Sequence, residues 1–222
     1  MDIPIIYADG QIVVCQKPVG TDSEAAGMPA LLSRQLHVPE VFCVHRLDRA
    51  VGGLMVYSLN RQSAASLSRQ IQEGSFRKEY LAVIHGSPAE KQAELRDLLF
   101  HDRGKNKSYV VKRPRAGVKE AVLDYRVLSE SSGCSLLAVR LHTGRTHQIR
   151  VQFASRRHPL VGDTKYGSPV RPAEIALFSH ALGFQHPQSG APLVFTAPPP
   201  VAFPWSQFNQ MDFGGFLCDT LK

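Results

Sequence analysis

The sequence predicts an α+β fold, with a mostly antiparallel mixed β-sheet flanked by a few helices. Three features of its 222 residues favour this class. Short apolar runs typical of strands outnumber helical segments, helices and strands do not alternate regularly, and no linker or repeat divides the chain. We therefore expect a single domain spanning residues 1–222, which is long enough to bury a core without disulfides or metals.

The first third of the chain opens with a predicted hairpin and contains two predicted helices. Asp9-Gly10 between two apolar runs is a strong hairpin signal. The clearest helix follows Asn60, which is placed to cap its first turn, and ends before Gly74. In order, we predict strands at Ile3–Tyr7 and Ile12–Gln16, a helix at Met28–His37, a strand at Val41–Val44, a chain break at Gly52-Gly53, a strand at Leu54–Ser58 and the helix Arg61–Glu73.

Strands dominate the rest of the chain. We predict them at Arg77–His85, at two runs between Glu94 and Lys112 around the turn Asp102–Lys107, at Ala121–Ser129, Ser135–His142, Phe178–Gln185 and Leu193–Thr196, with a loop at Pro159–Tyr166 and a last short helix at Trp205–Phe208. The segment Thr143–Arg157 leaves two structures open. Ile149, Val151 and Phe153 alternate as in a strand, while Ile149 and Phe153 are also four residues apart, as on one face of a helix.

The chain is basic, with a net charge of +7 and an isoelectric point of about 9.4. This balance favours a polyanionic partner, of which nucleic acid is the commonest. Basic residues cluster in His101–Lys119, Arg140–Arg150 and Arg156–His158. The first cluster mixes Gly, Pro and Tyr with Lys and Arg, which is typical of a hairpin that contacts phosphates, although a solvated basic hairpin would have the same composition.

Several classes of protein are disfavoured by what the sequence lacks. There is no secretory leader, and no apolar run approaches the ~20 residues that span a membrane, so we expect a cytoplasmic protein without membrane contact. No Gly-rich phosphate loop or dinucleotide fingerprint is present. Cys15, Cys43, Cys134 and Cys218 form no CxxC pair, which favours buried thiols over disulfides or a zinc site.

The first segment that could carry chemistry is His45-Arg46-Leu47-Asp48-Arg49, between two apolar strands. A strand end is where a rigid scaffold presents reactive groups on a loop. Asp48 is flanked by Arg46 and Arg49, and nearby positive charges keep a carboxylate ionised even when it is partly desolvated. Such an aspartate can act as a nucleophile or general base. Composition alone favours the simpler interpretation, a salt bridge that stabilises a turn.

Two further segments suit nucleic-acid recognition. Arg140–Arg150 holds three arginines and two histidines, and the spacing of His142 and His147 does not match a metal-binding pair. Its many hydrogen-bond donors suit phosphate, ribose or base edges, although a basic surface helix or strand would have the same composition. Tyr80 lies in a predicted strand, where it is either a core residue or a platform on which a base stacks.

These segments, taken in order, resemble the RluA-type pseudouridine synthases. The matching elements are Lys17-Pro18-Val19-Gly20, His45-Arg46-Leu47-Asp48 with Gly53-Leu54-Met55-Val56, Lys78-Glu79-Tyr80, Thr143–Arg150 with His158–Gly167, and Phe178–Leu182 with His186-Pro187. The resemblance covers about residues 3 to 205. The chain departs from the family pattern at Val51 and Gly52, where Thr and Ser are usual, at Gln152, where His is usual, and at Arg157, where Gly is usual.

The resemblance implies the pseudouridine synthase fold, a helix over Thr146–Arg156, and a catalytic domain without the N-terminal RNA-binding domain that many relatives carry. It implies that a uridine in structured ribosomal or transfer RNA is flipped out and isomerised to pseudouridine without a cofactor or a metal, by an enzyme that we expect to be monomeric. Asp48 would be the catalytic carboxylate, Arg150 would pair with it, and Tyr80 would stack on the uracil. The residues expected to bind the substrate are Lys17, His45, Arg46, Arg145 and His147.

Two alternatives remain open at this point. One is a non-catalytic RNA-binding protein on the same fold, and the other is a carboxylate enzyme that acts on small nucleosides. The route taken by Asp48, which could attack C1′ of the ribose or remove a ribose proton, is also open. The hairpin Asp102–Lys119 and the region Val170–Glu174 are the expected determinants of which RNA is bound.

Overall fold

The computed structural model describes residues 2–24, 26–171 and 174–208. The strands in these ranges are β1 (Ile5–Ala8), β2 (Ile12–Lys17), β3 (Phe42–Cys43), β4 (Gly52–Ser58), β5 (Arg77–His85), β6 (Gln92–Asp102), β7 (Lys107–Val111), β8 (Val118–Ser131), β9 (Cys134–Leu141), β10 (Leu177–Gln185) and β11 (Pro192–Thr196), and the helices are α1 (Met28–Leu36), α2 (Arg61–Glu73) and α3 (Gln148–Ser155). Strands outnumber helices and do not alternate with them regularly. The predicted α+β class is confirmed.

The described chain divides into two compact units. The first comprises the residues up to Glu79 together with Phe178–Pro199, and the second comprises Tyr80–Leu177 together with the residues after Pro199. The assignment of the whole chain to one domain stays a prediction.

In the first unit the strand order is β1-β2-β4-β10, with β3 also paired to β4 and β11 to β10. The pairing of β4 with β10 is parallel, whereas β1–β2, β2–β4, β3–β4 and β10–β11 are antiparallel. This makes the sheet mixed and mostly antiparallel, as predicted. Every residue of β4 is buried, which suits a central strand. The loop between β3 and β4 is therefore held at the end of a rigid element.

Helix α2 shows how local sequence sets an element's ends. The Asn60 side chain accepts a hydrogen bond from the Ser63 N–H at 2.9 Å, and Gly74 ends the helix in the left-handed conformation, as predicted. Gln70 fixes the buried face of the helix. Its amide donates to the Gln185 carbonyl at 2.9 Å and accepts from the Gln185 N–H at 2.8 Å, so α2 is tied to the end of β10.

In the second unit the strand order is β5-β9-β8-β6-β7. The pairs β6–β7, β6–β8 and β8–β9 are antiparallel. The strands β6 and β7 are joined by the predicted polar turn, and β7 is the edge strand of this order. The segment Thr143–Arg157 contains helix α3 and not a strand, and the helix is shorter than the expected Thr146–Arg156.

Four expectations about the elements are corrected by the structure. Gly52-Gly53 does not break the chain, because both glycines belong to β4. The predicted strand Val41–Val44 is reduced to the two residues of β3. A short 3-10 turn, Thr164–Tyr166, interrupts the predicted loop, and Trp205–Phe208 forms a 3-10 turn where a helix was expected.

The described cysteines are free thiols. Cys15 is buried, Cys43 and Cys134 are half-buried, and Cys218 lies outside the described residues. Burial raises the pKa of the Cys15 thiol to about 12, so this side chain is neutral and behaves as a small apolar group. Across the described ranges, none of the helices has the length and apolar character needed to cross a membrane.

Candidate active site

Asp48 lies in the loop that joins β3 to β4, and its side chain is half-buried. The backbone of this loop is fixed on both sides of the carboxylate. The Val51 N–H donates to the Asp48 carbonyl at 2.9 Å, which closes a turn. On the other side, the buried Ser23 hydroxyl donates to the Leu47 carbonyl at 2.8 Å and accepts from the Leu47 N–H at 3.1 Å. A carboxylate held by its neighbours' backbone is preorganised for chemistry.

Lys17 is almost completely buried in the first unit, with 1% of its surface exposed. Its ammonium donates to the carbonyls of Pro18 at 3.0 Å, Thr21 at 2.8 Å and Arg49 at 3.4 Å. It thereby ties the turn after β2 to the loop that carries Asp48. A substrate-binding role for Lys17 stays a prediction, and the geometry gives it a structural task as well.

Two carboxylates of the first unit act on the buried ammonium of Lys17. Burial lowers the pKa of the Lys17 ammonium to about 8, and the carboxylates of Asp22 and Asp48 oppose this shift. Lys17 therefore interacts electrostatically with the Asp48 loop as well as holding its backbone.

His45 was expected to bind substrate, and the structure places it in the core of the first unit. Its Nε2 accepts a hydrogen bond from the Val56 N–H at 3.2 Å, and its ring packs at a tilt on Phe76, with 5.4 Å between the centroids. Burial first, and then the charge of Lys78, lowers the pKa of the imidazole to about 3. His45 is therefore neutral, and it fixes the strand that follows the Asp48 loop. Its predicted contact with substrate stays a prediction.

The buried imidazole predicts a specific acid instability. Because the pKa of His45 lies near 3 in the folded state and near 6.5 in the unfolded state, only the unfolded chain takes up the proton as the pH falls from 6.5 towards 3. We expect His45→Gln to flatten the dependence of the unfolding free energy on pH between 6 and 4, by up to about 1 kcal/mol per pH unit. Urea titrations at several pH values measure this slope.

The matched control for this measurement is His37→Asn. His37 is exposed and adopts φ 55°, a left-handed conformation that asparagine tolerates. This variant should keep the slope of the wild-type protein. An equal slope in His45→Gln and wild type would contradict a neutral buried imidazole at this position.

Arg46 is exposed and pairs with Glu24 at 3.0 Å, with more than half of both side chains in solvent. A pair of this kind contributes about 0–1 kcal/mol and opens easily. The side chain can therefore leave Glu24 for another anion at little cost. This is compatible with its predicted contact with RNA, which stays a prediction.

Arg150 and Tyr80 belong to the second unit, whereas Asp48 belongs to the first. Arg150 lies on α3 and is 5% exposed. Its Nε donates to Asp163 Oδ2 at 2.6 Å and its Nη2 donates to Asp163 Oδ1 at 2.9 Å, a bidentate ion pair. Tyr80 lies on β5 and is 5% exposed. The pairing of Arg150 with Asp48 and the stacking role of Tyr80 stay predictions.

His147 and Arg145 precede α3 and are held by protein groups. His147 caps the helix with φ 56°, and its Nδ1 is hydrogen-bonded to the Tyr166 hydroxyl at 3.0 Å. The Arg145 Nε donates to the Glu120 carbonyl at 2.8 Å, and its N–H donates to the Gln148 side chain at 3.0 Å. These contacts order the basic turn before α3. The predicted contacts of His147 and Arg145 with substrate stay predictions.

Three residues that hold candidate site residues in place within their own units were not singled out from the sequence. Ser23 pins the Asp48 loop, while Asp163 and Tyr166 surround the Arg150 side chain. Asp163 and Tyr166 stand in a segment that matches the family, so the motif itself was the signal for them. Ser23 lies in no motif, and only its contact across 24 positions of sequence reveals its role.

No group of three or more His, Cys, Asp or Glu side chains is placed to hold a metal ion within the ranges that the structure covers. The predictions that neither a metal nor a cofactor takes part stay predictions. In the first unit the Asp48 carboxylate lies half-buried on a loop whose backbone is fixed. A carboxylate of this kind suits chemistry at a sugar carbon that develops positive charge, as in glycosidic bond cleavage.

The model of the RNA pseudouridylate synthase family matches residues 11–155. The chain belongs to this family. The predicted enzyme class, pseudouridine synthase, and the resemblance to the RluA type are thus confirmed.

Curated relatives and solved structures agree with this membership. An RNA pseudouridine synthase of Haemophilus influenzae is 33% identical over 171 residues, covering 75% of this chain and 75% of the relative. The ribosomal large subunit pseudouridine synthase D of Neisseria meningitidis serogroup B is 34% identical over 224 residues, covering 90% of this chain and 59% of the relative. The human RNA pseudouridylate synthase domain containing 1 superposes with a TM-score of 0.76 at 23% identity, covering 90% of this chain and 84% of that one, which shows a shared fold.

Proposed function

We propose that this pseudouridine synthase isomerises one or more uridines of large-subunit ribosomal RNA, with Asp48 as the catalytic carboxylate. The observation that carries the proposal is the fixed Asp48 loop, which Ser23 and the buried Lys17 hold through its backbone and whose carboxylate is half-buried. Ribosomal RNA is preferred over transfer RNA because curated relatives are named for the ribosomal large subunit.

The proposed reaction is an isomerisation in which every atom comes from the substrate. The bond between C1′ and N1 of uridine breaks, the detached uracil rotates in the site, and C1′ bonds to C5. C5 then loses its proton and N1 gains one, so the product has the same composition as the substrate. Asp48 either attacks C1′ or removes a ribose proton, and both routes require an ionised carboxylate. In this proposal Tyr80 holds the uracil face and Arg150 stabilises the anionic carboxylate.

The target uridine must leave the RNA stack before Asp48 can reach its sugar. Flipping a base costs roughly a few kcal/mol, which phosphate contacts elsewhere offset. The segment from β6 to β8 supplies such contacts, because His101–Lys119 holds seven Lys and Arg side chains and one acidic one, Asp102. Arg103, Lys105, Lys112, Arg113, Arg115 and Lys119 are all exposed.

Aromatic rings stand among these charges. Arg115 lies over the Phe100 ring, 4.6 Å from its centroid, and Lys107 lies 5.8 Å from the centroid of Tyr109. Tyr109 is 37% exposed on the edge strand β7. Cations beside partly exposed rings suit both phosphates and unstacked bases. This supports the hairpin as a contact for structured RNA; of the other candidate region, Val170–Glu174, residues 172 and 173 lie outside the described chain.

The proposed function is tested by mapping pseudouridine in total RNA from cells with and without this protein. We expect at least one ribosomal site to lose its pseudouridine in the deleted strain and to regain it when the wild-type chain is restored. Loss of pseudouridine at a transfer RNA site alone would make transfer RNA, and not ribosomal RNA, the substrate. An unchanged map would favour a non-catalytic RNA-binding role. A cytoplasmic location and a monomeric state stay predictions.

A further inference from the structure

Asp163 forms the most completely buried ion pair among those that the structure describes. Its carboxylate is 1% exposed and its partner Arg150 is 6% exposed at the side chain. The two parallel hydrogen bonds of 2.6 Å and 2.9 Å engage Nε and Nη2, so Nη1 of the guanidinium stands outside this pair. A bidentate pair fixes the plane and the direction of a guanidinium as well as its charge.

The backbone of Asp163 is itself held rigidly. Its N–H donates to the Leu160 carbonyl at 3.1 Å, and its carbonyl accepts from the Tyr166 and Ser168 N–H groups at 3.1 Å and 3.0 Å. The carboxylate therefore points from a closed turn and not from a loose loop. An acceptor fixed in this way determines where the arginine can lie.

Tyr166 supports the same guanidinium from one face. The Arg150 Cζ lies 5.1 Å from the centroid of the Tyr166 ring, within cation–π range. The Tyr166 hydroxyl accepts from the Ser108 N–H on β7 at 2.8 Å and is hydrogen-bonded to His147 at 3.0 Å. The ring is thus tied both to the basic hairpin and to the start of α3.

We propose that Asp163 and Tyr166 are positioning residues that hold the Arg150 guanidinium in the orientation required for pseudouridine formation. The inference rests on the proposed function, in which Arg150 acts on the catalytic carboxylate. A buried guanidinium without its partner carboxylate is strongly disfavoured. Loss of Asp163 therefore turns the arginine towards water, and a misplacement of about 1 Å in a catalytic group can lower a rate about a hundredfold.

The first test compares Asp163→Asn with Asp97→Asn. Asp97 pairs with Arg156 near the end of α3 at 2.8 Å, so its loss also removes an ion pair of this helix but leaves Arg150 untouched. At saturating enzyme and on the RNA identified by mapping, we expect Asp163→Asn to lower the rate of conversion by about 30- to 100-fold and to change the dissociation constant for RNA less than about threefold. Asp97→Asn should keep the rate within about threefold.

The second variant, Tyr166→Phe, keeps the ring over Arg150 and removes its hydroxyl. We expect an intermediate loss of about three- to tenfold, because the cation–π contact remains while the bonds to Ser108 and His147 are lost. All rates are taken per folded molecule, with the folded fraction measured by circular dichroism. A rate for Asp163→Asn equal to that of Asp97→Asn overturns the positioning role.

A side-chain NMR measurement tests directly whether Asp163 holds the Arg150 guanidinium in place. In 15N-labelled protein the Arg150 Nε–H should exchange slowly in the wild type and in Asp48→Asn, and lose this protection in Asp163→Asn. Arg150→Lys assigns the signal. An unprotected signal in the wild type overturns the inference. If the wild type converts the RNA and Asp163→Asn converts it at the same rate, the inference alone is overturned. If the wild type converts no RNA, the proposed function on which the inference rests is overturned.

Discussion

Asp48→Asn is expected to lower the rate of pseudouridine formation roughly a thousandfold or more. The amide has almost the shape of the carboxylate, but it neither attacks a sugar carbon nor removes a proton at neutral pH. The substitution should leave the loop in place, because the Asp48 carbonyl, and not its side chain, accepts the Val51 N–H. The rate is measured as single-turnover conversion of a transcript that contains the mapped uridine.

Asp22→Asn is the matched control for this experiment. Asp22 is exposed in the same unit, and both carboxylates act on the pKa of Lys17. If the rate depended only on the field around Lys17, the two variants would behave alike. We expect Asp22→Asn to stay within about threefold of the wild type, since a change in a surface charge alters such a rate only slightly.

The affinity for RNA separates a catalytic role from a structural one. Removal of a negative charge near a polyanion should leave the affinity unchanged or slightly higher in Asp48→Asn. A variant that binds as well as the wild type and does not convert the RNA would place the loss in the chemical step. A variant that loses both binding and conversion would instead make Asp48 a structural residue of the turn, as its composition first suggested.

Elements that are specified by neighbouring residues could be predicted from the sequence. Helix α2 was predicted with both ends correct, because Asn60 and Gly74 act on the backbone of the same helix. The first hairpin follows from Asp9-Gly10 for the same reason, and Asp9 Oδ1 accepts from the N–H groups of Gln11 and Ile12 within that turn. Local signals of this kind need no knowledge of the rest of the fold.

The structure of Gly52 and Gly53 could not be predicted in this way. A pair of glycines usually marks a turn, yet here both belong to the buried strand β4. Gly52 is approached by Lys17 and Val19, whereas Gly53 is approached by the backbone of Ser179 on β10, the strand that pairs in parallel with β4. That partner lies more than 120 positions away, so no window along the sequence contains it.

The candidate site shows the same division. Asp48 could be chosen because its segment matches a family motif, while composition alone favoured a salt bridge. The tasks of Lys17 and His45 were beyond the sequence, since both depend on burial and on backbone partners that only the fold brings near them. Asp163 lies in a segment that matches a family motif, but only the fold shows that it pairs with Arg150, 13 positions earlier in the chain.

Gly53→Ala is expected to destabilise the first unit by about 3 kcal/mol or more. Gly53 adopts φ +119°, where residues with a Cβ are strained. A Cβ at this position would lie 2.4 Å from the Ser179 carbonyl oxygen and 2.5 Å from the Ser179 nitrogen. Both atoms belong to the backbone of a paired strand, so neither can move without breaking the pairing of β4 with β10. Urea unfolding measures the loss.

Gly10→Ala is the matched control, because a Cβ there meets no atom within 4 Å. It should change the unfolding free energy by no more than about 0.5 kcal/mol. Equal stabilities of the two variants would contradict the close approach of β4 to β10. The comparison also bears on catalysis, because Gly53 follows the Asp48 loop by only a few residues and pairs with Lys17 of β2. If Gly53→Ala is still folded at low temperature, its rate of pseudouridine formation should fall by more than its folded fraction does. The reason is that the substitution displaces β4, the strand that follows the Asp48 loop.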